Sequence, residues 1–183
     1  MGLLDLFFRL KPFHRDRSIL IIGLDNAGKT CIFKKLSDDD TLNTMQTQGF
    51  NIKILAVGRL KLSVWDIGGQ KSIRQYWRYY FGDMDALIFV IDAFDMQRVE
   101  EAKLELYHIL EEEKLAGVPL LLFANKQDIL GAVTAEDLIT VLQLNEVQGR
   151  KWRVQSCSAK TGEGLDVGVA WVVEQLRCNA PLR

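Results

Sequence analysis

What the chain lacks narrows its work. It has no excess of positive charge: 23 Lys and Arg stand against 24 Asp and Glu, for a net charge of −1. General nucleic-acid binding, which calls for a strongly basic surface, is therefore not expected. Cysteine is sparse, and Cys31, Cys157 and Cys178 are odd in number with no paired spacing. That excludes a disulfide framework and suits reduced thiols in an intracellular chain. The two histidines, His14 and His108, lie too far apart in sequence to suggest a metal site. No apolar run approaches the roughly 18 residues that a membrane span needs. The N-terminus shows neither the charged start nor the cleavage site of a secretory leader. There is no internal repeat, and the charge runs "DDD" (38–40) and "EEEK" (111–114) read as a solvated loop and a solvated helix end.

What is present fits one α/β domain. The 183 residues suffice for one domain with a sizeable core. "SILIIG" (18–23), "ALIFVID" (86–92) and "VPLLLFAN" (118–125) are continuously apolar. Strands buried on both faces of a parallel sheet have that pattern. Helical spacing fills the intervals at 29–36, 97–114, 135–142 and 164–176, with Val99, Ala102, Leu106, Ile109 and Leu110 on one face. "FNIKILAV" (50–57) and "RLKLSVWD" (59–66) alternate and meet at Gly58, the pattern of a hairpin. The expected fold is a single doubly wound domain. Its six-stranded sheet is mostly parallel, with one antiparallel hairpin strand.

Gly23-x-x-x-x-Gly28-Lys29-Thr30 follows a predicted buried strand and opens a predicted helix, the context that gives this pattern weight. Such a loop turns its N–H groups inward around phosphates, and the helix start adds favourable potential. Asp25, Asn26, Ala27 and Gly28 form the cradle, Lys29 reaches the β- and γ-phosphates, and Thr30 with Cys31 opens the helix. The Thr30 hydroxyl suits Mg²⁺.

A phosphate loop serves kinases, ATPases and GTPases alike, and "NKQD" (125–128) separates them. The Asp128 carboxylate accepts hydrogen bonds only, and guanine offers it two adjacent donors that adenine lacks. A wrong base would leave that polar group unpaired. Asn125 and Lys126 brace the loop, with the lysine stem able to cover the base. "SCSAKTGEG" (156–164) supplies Ser158, Ala159 and Lys160 as a further base-facing loop, the Ala159 N–H being a donor for the guanine carbonyl. In "WDIGGQ" (65–70), Asp66 ends a strand where it can hold Mg²⁺ through water. Gly69 permits close approach of its N–H to the γ-phosphate. Gln70, which both donates and accepts, suits orienting an attacking water.

With these residues assembled, the chain resembles the small GTPases, specifically the ADP-ribosylation factor (Arf-like) family. "GLDNAGKT", "TQGFN", "WDIGGQ", "YW…YF", "FANKQD" and "SCSAKTGEG" occur in family order and spacing over nearly the whole chain. The resemblance implies a GTP/GDP switch with Mg²⁺, in which Thr47 supplies the second hydroxyl ligand. It implies an exchange factor, effectors that carry lipidated cargo, and work at the cilium or Golgi. Gln46 stands where the family usually has Pro, and Lys71 where Arg is common. No arginine is placed to act on the γ-phosphate in cis; Arg74 and Arg78 are expected to face partners. Slow hydrolysis is therefore expected until an activating protein supplies an arginine, an addition worth about 10³ to 10⁵ in rate. A nucleotide-binding module without hydrolysis is the alternative, though it would normally lack Gln70. Tyr76, Trp77, Tyr79, Tyr80 and Phe81 divide between core packing and an effector surface.

Residues 1–15 read as an amphipathic switch helix and linker ahead of the domain at 16–183. Leu3, Leu6, Phe7 and Leu10 share one helical face, and Pro12 ends the helix. About nine residues of helix are marginal alone in water, so they need a surface. Permanent packing is one option; the resemblance favours release on GTP binding, when the hairpin shifts and frees the helix for peripheral membrane or partner contact. Gly2 precedes Leu6 where a myristoylation motif wants Ser or Thr, so the apolar face is the main anchor.

Overall fold

The computed structural model describes residues 16–36, 49–57 and 60–178. The expectations for residues 1–15, for "DDD", for Gln46 and Thr47, and for the turn at Gly58 lie outside the described residues.

Six strands form one sheet: β1 (Arg17–Ile22), β2 (Phe50–Val57), β3 (Leu60–Ile67), β4 (Ala86–Asp92), β5 (Leu120–Asn125) and β6 (Trp152–Ser156). Their order is β2-β3-β1-β4-β5-β6. Every neighbouring pair is parallel except β2 and β3, where Phe50 faces Ile67 and Lys53 faces Val64 in antiparallel register. Among the described residues five α-helices accompany them: α1 (Lys29–Leu36), the short α2 (Lys71–Arg74), α3 (Val99–Leu110), α4 (Ala135–Val141) and α5 (Leu165–Cys178).

Alternate residues of each central strand enter opposite cores, which is why these strands read as unbroken apolar runs. Leu20, Ile22, Phe89 and Leu122 pack with Leu106 and Ile109 of α3 and Leu138 of α4. Ile19, Ile21, Ile88 and Phe123 pack on the other face with Ile32 of α1 and Val169, Val172 and Leu176 of α5. β1 lies between β3 and β4, so the chain leaves its carboxyl end at the point where strand order reverses. Ligand crevices of open α/β sheets form there.

Two elements differ from the sequence pattern. The helix expected over 97–114 is α-helical only over Val99–Leu110, and a separate 3₁₀ turn covers Glu113–Leu115. Arg150 donates to the Leu110 carbonyl at 3.0 Å, closing the helix, and the turn then buries Leu115 completely. The sixth strand is "WRVQS" at the sheet edge, where every residue is only half-buried. Such a strand carries no continuous apolar run to mark it.

Gly168 of α5 sets how closely that helix lies on the sheet: a Cβ there would come within 2.4 Å of Phe123 Cε1. Phe123 is fully buried and has nowhere to move. In an exposed helix Gly→Ala is stabilising. Here Gly168→Ala is expected to destabilise by about 1–3 kcal/mol through overpacking. A thermal midpoint equal to that of the unchanged protein would contradict the close packing.

Candidate functional site

The phosphate loop, "WDIGGQ", "FANKQD" and "SCSAKTGEG" converge at the carboxyl edge of the sheet, at and after the ends of β1, β3, β5 and β6. The loop after β1 is shaped by backbone crowding. Gly28 has φ +94°, and a Cβ on it would sit 2.2 Å from Asn125 Nδ2. Only glycine leaves that passage open. Lys29, 5% exposed, curls back so that Nζ donates to the carbonyls of Gly23 at 2.9 Å and Leu24 at 2.7 Å. Burial lowers its pKa to about 8, against the attraction of Asp66 and Asp25. Asp25 and Asn26 form the crest of the loop, Asn26 in left-handed backbone at φ +62°, and Ala27 is buried beneath. Cys31, half-buried, follows Thr30 into α1.

The hydroxyl and carboxylate expected to share a cation are adjacent. Thr30 Oγ1 donates to Asp66 Oδ2 at 2.8 Å, and Asn51 Nδ2 donates to the same oxygen at 3.1 Å. Asp66 has no solvent exposure. Gly69 packs directly on the phosphate loop: a Cβ would lie 2.3 Å from the Gly23 carbonyl oxygen. Its own carbonyl accepts from the Asp25 N–H at 3.1 Å. Gln70 follows in extended backbone, φ −60° and ψ 142°, as the residue that opens α2.

On the opposite flank, Asn125 joins three loops. Its Nδ2 donates to the Ala27 carbonyl at 2.8 Å, and its Oδ1 accepts from the Ala159 N–H at 2.9 Å. The Ala159 amide expected to meet a guanine carbonyl thus serves Asn125 in this structure. Lys126, at φ +70°, pairs with Asp92 at 2.6 Å, which fixes its stem beside the loop. Asp128 accepts from Ser158 Oγ at 2.7 Å and faces Lys160 Nζ at 3.7 Å. The Ser158 hydrogen bond leads in holding its carboxyl below the ordinary value. Cys157 lies behind Asn125, and burial pushes its thiol up, away from reactive thiolate.

One expectation is overturned. Arg74 does not face partners: it is buried, with Nε donating to the Gly69 carbonyl at 2.8 Å and its fork to Glu101 at 2.8 Å and Glu105 at 3.0 Å. Burial opposes its charge, but its hydrogen bonds to both glutamates outweigh that and leave the pKa raised. Arg98 joins it on Asp25, each arginine lying 3.3 Å from Asp25 Oδ1. Sequence spacing gives no signal for the pairing of Arg74 with Glu101, Glu105 and Asp25 or of Arg98 with Asp25, which crosses 27 to 73 residues. Arg78 does lie at the surface, beside Tyr79. The aromatic segment divides: Trp77 and Phe81 are core, Tyr80 packs with Phe50 and Trp65, and Tyr76 and Tyr79 are exposed. Among the described residues no group of three or more His, Cys, Asp or Glu could hold a metal by itself.

A sequence model of the ADP-ribosylation factor family matches residues 3–176. The chain belongs to that family. It is a small GTPase, a nucleotide-dependent switch that hydrolyses GTP. ADP-ribosylation factor-like protein 3 of Chlamydomonas reinhardtii is 51% identical over 177 residues, 97% of this chain and 100% of the relative. The protein of that name from Caenorhabditis elegans is 48% identical over 179 residues, covering 97% of each chain. Among solved structures, the Arl6 small GTPase of Trypanosoma brucei with bound GppNp superposes at a TM-score of 0.84. It is 32% identical, with 91% of this chain and all of that one covered.

Asn125→Ala would strand the Ala27 carbonyl and the Ala159 N–H, both on buried residues. Each buried group left unpaired costs about 1–3 kcal/mol. Release of labelled GDP should then accelerate by at least about tenfold, the equivalent of ~1.4 kcal/mol. An unchanged release rate would show that the bridge does not hold the site together.

Proposed function

We propose that this Arf-family GTPase holds GTP or GDP with Mg²⁺ across the carboxyl edge, reading guanine through Asp128 and hydrolysing GTP with water oriented by Gln70. The observation that carries this reading is the convergence itself. The phosphate loop, the Thr30–Asp66 pair, Gln70 and the two base-facing loops meet at one edge, tied by Asn125.

The residues fit the cation. Thr30, half-buried, and Asp66, fully buried, present hard oxygen donors side by side, the ligand type magnesium prefers. Thr47, outside the described residues, would add a second hydroxyl. When bound there, magnesium neutralises charge on the phosphate oxygens. The chain's own residues do the rest. Lys29 exchanges the Gly23 and Leu24 carbonyls for phosphate oxygens, and the amides from Asp25 to Thr30 supply the cradle. Gln70 holds a water for in-line attack on the γ-phosphorus, without taking its proton. Asp128 accepts from the guanine ring N–H and amine, while Ser158, Ala159 and Lys160 shape the base pocket.

The switch reading extends to partners. Phe50, Ile52 and Ile54 on the outer strand β2 are 50%, 45% and 64% exposed, and Tyr76 and Tyr79 lie bare on the segment after Gln70. Apolar and aromatic groups beside a nucleotide-sensing loop suit effector recognition. By family likeness the effectors carry lipidated cargo, an exchange factor loads GTP, and an activating protein supplies an arginine. The same likeness suggests cytoplasmic work with peripheral membrane association, at the cilium or Golgi. No helix among the described residues is long and apolar enough to cross a membrane. Residues 1–15 act in this scheme as a helix released in the GTP state.

Gln70→Leu should retain nucleotide but trap the GTP state. With an activating protein supplying an arginine, single-turnover hydrolysis should fall by about 10³ or more, the scale of activator-dependent catalysis. Hydrolysis at the unchanged rate would remove Gln70 from the reaction. For the N-terminal helix the readout is hydrogen exchange in residues 2–11. Exchange is expected to rise when GDP is replaced by a non-hydrolysable GTP analogue; equal protection in both states would leave only a permanently packed helix.

A further inference from the structure

Arg74 grips both sides of Gln70. Its main-chain N–H donates to the Gln70 carbonyl at 3.2 Å, and its side-chain Nε donates to the Gly69 carbonyl at 2.8 Å. Those two carbonyls flank the Gln70 α-carbon. The far side of the guanidinium is anchored in turn. One terminal nitrogen donates to Glu101 at 2.8 Å and Glu105 at 3.0 Å, and the other lies 3.3 Å from Asp25 Oδ1 in the phosphate loop. Glu101 and Glu105 are four apart on α3 and so share one face. Only a planar fork spans a carbonyl, two carboxylates and a third at once. Arg74 itself is drawn in from water, at 7% exposed, while its three carboxylate partners stay partly exposed.

We propose that Arg74 is a positioning residue for GTP hydrolysis. It fixes the Gln70 main chain against the phosphate loop, with Glu101 and Glu105 of α3 as its footing. The proposal rests on the role given to Gln70 above. Its chemistry is geometric: four of the five guanidinium N–H donors of Arg74 go to Gly69, Glu101, Glu105 and Asp25, so it is engaged in holding the segment rather than aimed at the γ-phosphate. What it supplies is a rigid approach for the Gln70 carboxamide. It also makes α3 a part of the hydrolytic apparatus, although that helix bears no residue of the nucleotide motifs.

A staple that merely stabilised the domain would act whether or not Gln70 is present, and that separates the two roles. Single-turnover hydrolysis of preloaded GTP, without activator, is compared for the unchanged protein, Arg74→Gln, Gln70→Ala and the double variant. Labelled-GDP release and the thermal midpoint are recorded for each. Arg74→Gln is expected to slow hydrolysis by about ten- to a hundredfold, the effect of a displacement on the order of 1 Å. In the Gln70→Ala background the same change should alter the rate by less than about twofold. Arg74→Lys should restore the charge and little of the rate, since an ammonium cannot make the fork. If Arg74→Gln does not fold, Glu105→Gln takes its place, slowing hydrolysis when Gln70 is present and leaving it unchanged when Gln70 is absent. Equal slowing in both backgrounds, or no slowing while Gln70→Ala slows, would overturn the proposal. A normal rate in Gln70→Ala alone would instead remove the Gln70 reading, and this proposal with it.

Discussion

The side-chain amide of Asn125 is the joint on which the site depends. One amide gives its donor to the phosphate loop at Ala27 and takes the N–H of the base-facing loop at Ala159. It reaches the phosphate loop through space that Gly28 leaves empty, so a glycine in one loop and an asparagine in another, about a hundred residues on, answer a single steric requirement. Asn125 itself is fixed because it ends β5, whose other residues are buried in the two cores. The sheet thus transmits its rigidity to loops that contain little regular structure. Placing chemistry on such loops while a packed sheet holds them is a general solution for α/β enzymes.

The loops are also electrostatically prepared. Lys29 is desolvated and bonded to backbone carbonyls, weak partners for an ammonium that phosphate oxygens would replace. Asp25, which would repel phosphates, is held between Arg74 and Arg98 at the rim of the loop. The two arginines thus offset the negative charge that Asp25 places beside the phosphate loop. The segment from Gly69 to Arg74 lies against this same network, and Arg74 ties the Gly69 carbonyl, beside Gln70, to Glu101 and Glu105 of α3.

Much of this was legible in the residues alone, and the reasons differ by element. The central strands declare themselves because burial on both faces forces unbroken apolar runs, and the hairpin because one solvated face forces alternation. The site motifs are legible since each is local: a phosphate loop, "NKQD" and "WDIGGQ" need only adjacent positions. β6 escaped because an edge strand of half-buried residues has neither signature. The end of α3 escaped because it is set by Arg150, forty residues later in the chain. The place of Arg74 is hidden in the sequence for the same reason. Near Gln70 in sequence, it looks like a surface cation, and only the fold brings Glu101, Glu105 and Asp25 around it.

The central claim is that one edge of the sheet holds a guanine nucleotide through the Asp128 carboxylate. Competitive displacement of labelled GDP by GDP, IDP and ADP, in the presence of Mg²⁺, tests it most directly. Hypoxanthine lacks the exocyclic amine, so IDP should bind more weakly than GDP. ADP, which offers the carboxylate neither donor, should be rejected by about 10⁴ or more, the discrimination expected where a built polar site is left unpaired. ADP binding within about tenfold of GDP, a difference of only ~1.4 kcal/mol, would contradict the account.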